Sequence, residues 1–190
     1  MMQSILLALC ILWACFFAYW WIPSLRNRTP VKRVSSYGSF LSCMIVPIAA
    51  VSIVVGLLAP GLIRTPVLPD TLAVAAFGLL VNILGLGFAI WARRHLGNNW
   101  SARPAIREDH TLTRTGPYAI VRHPIYTGLL TGVLGTAIVT GSMLAFIALA
   151  VMLLALSLKI RIEERFLTEE FGEEYEQYRK QVKALVPFIV

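Results

Sequence analysis

Five consecutive residues, Arg122-His123-Pro124-Ile125-Tyr126, put a guanidinium, an imidazole and a phenol at the mouth of an apolar run suited only to a lipid bilayer. Lipid tolerates such groups poorly, so the cluster points to a site. Beyond that run stand two adjacent carboxylates, Glu163 and Glu164. Taken singly, each residue has a plain structural use. Pro124 suits the first position of a helix, His123 can cap it, Arg122 can hold a lipid phosphate, and the Glu pair can lie on a solvated helix face. Ionic chemistry at one place requires elements that bring the carboxylates back to Arg122 and His123.

Those elements are membrane spans. Hydrophobic residues make up 57% of the chain and charged residues 14%, gathered in blocks between apolar runs. A soluble domain of this length carries a far higher charged fraction, so the chain is a polytopic membrane protein. Ile5 to Ile22, Phe40 to Ile63 and Thr71 to Trp91 each approach the ~20 residues needed to cross. Ile125 to Ile160 contains one charge, Lys159, and as a single helix would be about 54 Å long at ~1.5 Å per residue. That exceeds one crossing, and Thr140-Gly141-Ser142 supplies a turn between two short helices. Glu163 to Val182 then reads as an amphipathic helix with Leu167, Phe171, Tyr175, Tyr178 and Val182 on one face. The expected fold is all-α: a polytopic membrane helix bundle of about five transmembrane helices, with a C-terminal helical hairpin and a cytoplasmic amphipathic helix. That last helix is expected to pack across the cytoplasmic mouth of the bundle or to lie at the interface, bringing Glu163 and Glu164 near Arg122 and His123.

Of the 17 Lys and Arg, all but Arg64 fall on one side of these spans. The positive-inside rule puts that side in the cytoplasm and the N-terminus outside. The net charge of +7 therefore reports topology and contact with anionic membrane lipids, not nucleic-acid binding. The first stretch lacks a charged leader and carries Trp13, Trp20 and Trp21 where a cleavage site needs small residues, so it reads as a retained helix. Cys10, Cys15 and Cys43 lie inside apolar spans and read as small core residues; no metal is expected. Gly85-Leu86-Gly87 sits within a span with no strand before it, which excludes a Rossmann cofactor site. Gly128 and Gly132 read as close helix packing, and Asn82 as an interhelical hydrogen bond. One membrane domain over residues 1–190 is expected, with N-terminal spans at 5–63 and a catalytic part at 91–187.

The ordered motifs narrow this further. Leu96-Gly97-Asn98-Asn99-Trp100-Ser101, His110 to Tyr118, Arg122 to Tyr126, Glu163-Glu164 and Phe171-Gly172-Glu173-Glu174-Tyr175 together resemble the isoprenylcysteine carboxyl methyltransferase family. The resemblance covers roughly Trp91 to Pro187. It implies an integral membrane enzyme that uses S-adenosylmethionine to methylate a lipophilic carboxylate entering from the bilayer. Carried over by position, it implies a cofactor pocket at Arg103, His110, Thr111, Leu112, Thr113, Tyr118, His123, Pro124, Ile125, Tyr126 and Glu163. Arg122, His123, Tyr126, Glu163 and Glu164 are the catalytic candidates. A sulfonium cation is well held by a carboxylate and aromatic faces, which Glu163, Tyr118 and Tyr126 could supply, while Glu163 or backbone groups could instead hold the ribose or amino group. The family places an Arg one helical turn before the first Glu; this chain has Lys159, with Arg161 nearby, to orient the acceptor. Two alternatives stand: a related membrane methyltransferase acting on a phospholipid amine or small thiol, and a non-enzymatic membrane scaffold or transporter.

Overall fold

The computed structural model describes residues 1–24, 32–33, 67–97, 105–106 and 112–187. Five helices are present among them: α1 (Met2–Ser24), α2 (Leu72–Leu96), α3 (Pro124–Thr140), α4 (Met143–Phe171) and α5 (Glu173–Gln181), with a single 3-10 turn at Gly116–Ala119. Two short strands, β1 (Lys32–Arg33) and β2 (Ala105–Ile106), pair antiparallel. Helices α1, α2 and α4 are long and apolar enough to cross a membrane, and α3 is a shorter apolar helix. The expected first, third and fifth spans are therefore seen, and the expected fourth is present as the shorter apolar helix α3. The second, Phe40 to Ile63, lies outside the described residues.

Local chemistry explains the boundaries. The Thr71 hydroxyl accepts a hydrogen bond from the Val74 backbone N–H at 3.3 Å and starts α2, while Arg93, Arg94 and His95 complement its C-terminal dipole. Pro124 opens α3 at a position where its missing N–H costs nothing. Gly141, at φ 58°, closes α3 in the left-handed conformation, so the expected turn between the two hairpin arms is present.

The second arm is not short, and the separate amphipathic helix from Glu163 to Val182 is not formed as such. Helix α4 runs 29 residues from Met143 to Phe171 and breaks only at Gly172, φ 52°, where α5 begins. No proline or glycine interrupts the chain between Ile160 and Phe171, so the helix continues past the lipid. At ~1.5 Å per residue its length exceeds the ~30 Å hydrocarbon thickness, and the stretch beginning near Lys159 projects from the apolar part. Cys10 and Cys15 also depart from expectation. Both are exposed on the outside of α1, where the lipid-facing surface accepts a small apolar side chain as readily as the core does.

The tightest packing joins α2 to α3 through small residues. A Cβ added at Gly128 would lie 2.6 Å from both the Ala89 backbone nitrogen and the Gly85 carbonyl oxygen, and one added at Gly78 would lie 2.7 Å from the Val139 nitrogen. In lipid no hydrophobic force drives helices together, so such close backbone approach supplies the dispersion energy of association. A buried polar network reinforces it. The Asn82 side-chain NH2 donates to the Gly132 carbonyl at 2.8 Å and to the Thr136 hydroxyl at 3.3 Å, while the Trp13 indole donates to the same hydroxyl at 3.0 Å. The network ties α1, α2 and α3 at mid-span. Gly128→Val is expected to destabilise the bundle by about 3 kcal/mol, the upper end of ordinary overpacking, because backbone atoms cannot rotate away. Gly87 has nothing within 4 Å of an added Cβ, so Gly87→Ala is expected to unfold at the wild-type temperature or above. Thermal unfolding in detergent distinguishes the two.

A cavity of about 190 Å³, lined by Met2, Leu68, Asp70, Thr71, Ile138 and Gly141 among others, lies at the end of the bundle marked by the Gly141 turn. Asp70 apart, the ionisable cluster of Arg122, His123, Lys159, Glu163 and Glu164 lies at the opposite end.

Candidate active site

Three segments converge at the N-terminus of α3: the 3-10 turn before it, the end of α4, and the chain after α5. His95 on α2 anchors the first. Its ring accepts from or donates to the Thr115 hydroxyl at 2.8 Å and stacks on Tyr118 at 6.4 Å between centroids. A side chain at Gly116, φ 60°, would collide with that imidazole. Tyr118 is buried, and its phenol is pushed well above the ordinary range, first by burial and then by the nearby Tyr178 and Glu163. The Tyr178 hydroxyl donates to the Tyr118 carbonyl at 2.6 Å, tying α5 to the turn. Burial raises the Tyr178 phenol to about 12 against the opposing pull of Arg122 and Arg114, so it remains a donor at neutral pH.

The chain following α5 returns as an extended strap along the start of α3. The backbone N–H of Arg122 donates to the Lys183 carbonyl at 2.8 Å, and that of His123 to the Ala184 carbonyl at 3.0 Å. The Thr127 hydroxyl donates to the Leu185 carbonyl at 2.7 Å. Sequence reasoning did not find this strap. Its contacts are made by backbone carbonyls, which leave no mark in residue type.

Two carboxylate systems lie side by side within this frame. In the first, the Tyr126 hydroxyl donates to both oxygens of Glu163, at 2.7 and 2.9 Å. The His123 ring stacks nearly parallel on Tyr126, centroids 5.6 Å apart, with Nδ1 at 3.7 Å from the second Glu163 oxygen. Lys159 Nζ lies 3.6 Å from the first oxygen and 5.1 Å from the Tyr126 ring centroid. In the second system, Arg122 Nε donates to Glu164 at 2.9 Å, and Arg179 approaches the other Glu164 oxygen at 3.7 Å. Arg122 Nη2 also donates to Glu164, and Nη1 donates to the Arg179 carbonyl at 3.2 Å and to the Val182 carbonyl. Arg122 thus fastens α4 to the strap, while Glu163 faces the aromatic rings.

His123 bridges the two systems. It is 8% exposed, and its Nε2 stands 3.4 Å from a Glu164 oxygen with no closer hydrogen-bond partner among the described residues. A buried polar atom of this kind is costly unless something hydrogen-bonds to it.

The structure brings together His123, Tyr126, Lys159, Glu163, Glu164 and Arg122, with Tyr118 beside them. Pro124 is fully buried beneath the cluster, and Ile125 is half-buried. Leu112 and Thr113 are half-buried in the approach to the 3-10 turn, and among the described residues neither hydrogen-bonds to the cluster. Arg161 is exposed, two residues past Lys159 and hence on another face of α4. Arg103, His110 and Thr111 lie outside the described residues.

Comparison with known proteins gives a consistent picture. The family described as phospholipid methyltransferase matches residues 73–174. The protein-S-isoprenylcysteine O-methyltransferase of Schizosaccharomyces pombe is 40% identical over 83 residues, covering 43% of this chain and 35% of that protein. The protein-S-isoprenylcysteine O-methyltransferase B of Arabidopsis thaliana is 34% identical over 119 residues, covering 61% and 60%. The chain thus spans between about a third and three fifths of these relatives. The solved structure of a eukaryotic intramembrane Ras methyltransferase, an isoprenylcysteine carboxyl methyltransferase, superposes with a TM-score of 0.58 at 24% identity. It covers 84% of this chain and 55% of that one, and it shares the fold.

Proposed function

Because the chain belongs to the phospholipid methyltransferase family, we propose that it transfers a methyl group from S-adenosylmethionine to the carboxylate of a lipophilic, isoprenylcysteine-like acceptor. The observation that carries this reading is the placement of Glu163, doubly bonded by Tyr126 and flanked by the His123 and Tyr126 rings, at the end of the bundle opposite the Gly141 turn. The names of the curated relatives support the acceptor class.

The residues fit the cofactor. A sulfonium needs a carboxylate and aromatic faces, which Glu163 and Tyr126 offer with Tyr118 adjacent. His123 Nε2, with no contact closer than the Glu164 oxygen at 3.4 Å among the described residues, is a polar atom for the ligand to satisfy. We assign Leu112, Thr113, Pro124 and Ile125 to cofactor binding, and propose the same role for Arg103, His110 and Thr111, which lie outside the described residues. When bound, S-adenosylmethionine supplies an electrophilic methyl group on a cationic sulfur.

Every other demand falls on the chain. An acceptor carboxylate is already ionised, so no side chain has to remove a proton. The protein must hold the acceptor oxygen in line and exclude water. Transfer consumes one positive and one negative charge, so a dry site favours it over water, which stabilises the separated ions. Lys159, 9% exposed and directed into the cluster, orients the acceptor carboxylate as a point charge; Arg161 is directed elsewhere. Arg122 and Glu164 position His123 through the strap. We place the cluster on the cytoplasmic side with the N-terminus outside, following the basic residues Arg93, Arg94, Arg114 and Arg179 at its end of the bundle. The acceptor's lipid tail remains between helices, which accounts for a membrane location, and residues 91–187 form the catalytic part of one domain.

The test uses detergent-purified protein, methyl-labelled cofactor and a farnesylated cysteine with a free carboxylate. Label that becomes volatile on mild base treatment reports a methyl ester and is the expected result. Base-stable label on a phospholipid amine or a thiol would replace the carboxylate assignment, and no transfer to any acceptor would favour the scaffold reading.

A further inference from the structure

Glu163 faces one fixed cation among the described residues. Arg122 is committed to Glu164 and to the strap carbonyls, and Arg179 approaches the Glu164 side. Lys159, four residues before Glu163 on the same helix, lies 3.6 Å from its carboxylate and 5.1 Å from the centre of the Tyr126 ring. The pair is largely buried, with side chains 11% and 15% exposed. A carboxylate oxygen and an aromatic face are the two partners that an organic cation takes when removed from water.

On the reading of this site as a holder of S-adenosylmethionine, we infer that Lys159 is a built-in competitor of the cofactor's cation. Its ammonium occupies the environment of Glu163 and Tyr126 that suits a sulfonium. A second positive charge entering this largely buried site meets repulsion from Lys159 and must displace it from the carboxylate they compete for. S-adenosylhomocysteine lacks the sulfonium charge and escapes both costs. The chain therefore discriminates against the charged methyl donor in favour of the neutral product, and the lysine displaced from Glu163 becomes the free cation that meets an anionic acceptor. The i,i+4 spacing makes this exchange short-range: rotation about the Lys159 stem moves the ammonium while α4 stays in place.

The experiment is calorimetric titration of wild type and Lys159→Gln with S-adenosylmethionine and, separately, S-adenosylhomocysteine. Lys159→Gln is expected to lower the ratio of the two dissociation constants, donor over product, by about tenfold or more, the factor that removal of 1.4 kcal/mol of charge repulsion gives. Lys159→Arg keeps the charge and is expected to hold the ratio within about twofold of wild type. Should Lys159→Gln fail to fold, Lys159→Met, which keeps an apolar stem, serves for the same comparison. An unchanged ratio in a folded, ligand-binding variant overturns the inference and leaves the methyltransferase reading intact. A folded wild-type protein that binds neither ligand overturns both.

Discussion

Glu163→Ala is expected to lower the rate of methyl transfer about a thousandfold while leaving the protein folded. The side chain is 15% exposed and is held by Tyr126, His123 and Lys159, so its carboxylate is fixed before any ligand arrives. Preorganised charge of this kind, in a site of low dielectric, typically contributes about 10² to 10³ in rate. Removing it strands Lys159 as an unpaired buried cation and leaves the Tyr126 hydroxyl without its acceptor. Glu163→Gln retains a hydrogen-bond acceptor for Tyr126 but no charge, so its loss should fall between those of wild type and alanine. Equal activity in wild type and Glu163→Ala would remove Glu163 from the site. Expression and thermal midpoint in detergent establish that the variant is folded.

Arg122→Ala is expected to act on stability first. It removes a guanidinium that binds Glu164 and the carbonyls of Arg179 and Val182, and so releases the strap from α4. With the Arg122 and Glu164 side chains only 8% and 14% exposed, breaking the pair from one side should cost about 3 kcal/mol. Because the strap also bonds the His123 backbone, cofactor binding should fall with it. Arg122→Lys restores the charge but not the fork and should recover part of the loss. The double variant Arg122→Ala, Glu164→Ala should be less destabilised than the sum of the single ones, since it leaves neither charge alone. Additive losses in thermal unfolding would show that the pair does not act as a unit.

These two variants also mark what residue type and spacing disclose. Arg122, His123, Tyr126, Glu163 and Glu164 are legible as one cluster because ionisable groups beside an apolar run demand a partner. The helix-packing role of Gly128 and Gly132 and the hydrogen bond of Asn82 follow from the same logic. The division of labour within the cluster is not legible. Neighbouring residues on a helix point in different directions, and the choice of Glu164 by Arg122 depends on where Val182 and Arg179 arrive. The strap itself is invisible because backbone atoms make it. Helix α4 outran its expected end because lipid thickness limits a span, whereas only a break in the backbone ends a helix, and that break waits until Gly172.

The chain belongs to the phospholipid methyltransferase family, and the proposed methyl transfer gives a physical reason for the arrangement of its site. A cation and an anion must meet and annihilate their charges away from water, while the lipid part of the acceptor remains in the bilayer. On the proposed function, the Tyr126–Glu163 pair, at the start of α3 and in the last third of α4, stands at that boundary. The most direct test of this account is calorimetric titration of the detergent-purified protein with S-adenosylmethionine. Saturable one-to-one binding that is lost in Glu163→Ala is the expected result. A folded wild-type protein that takes up no S-adenosylmethionine, or a Glu163→Ala variant that binds it as tightly as wild type, would contradict the account.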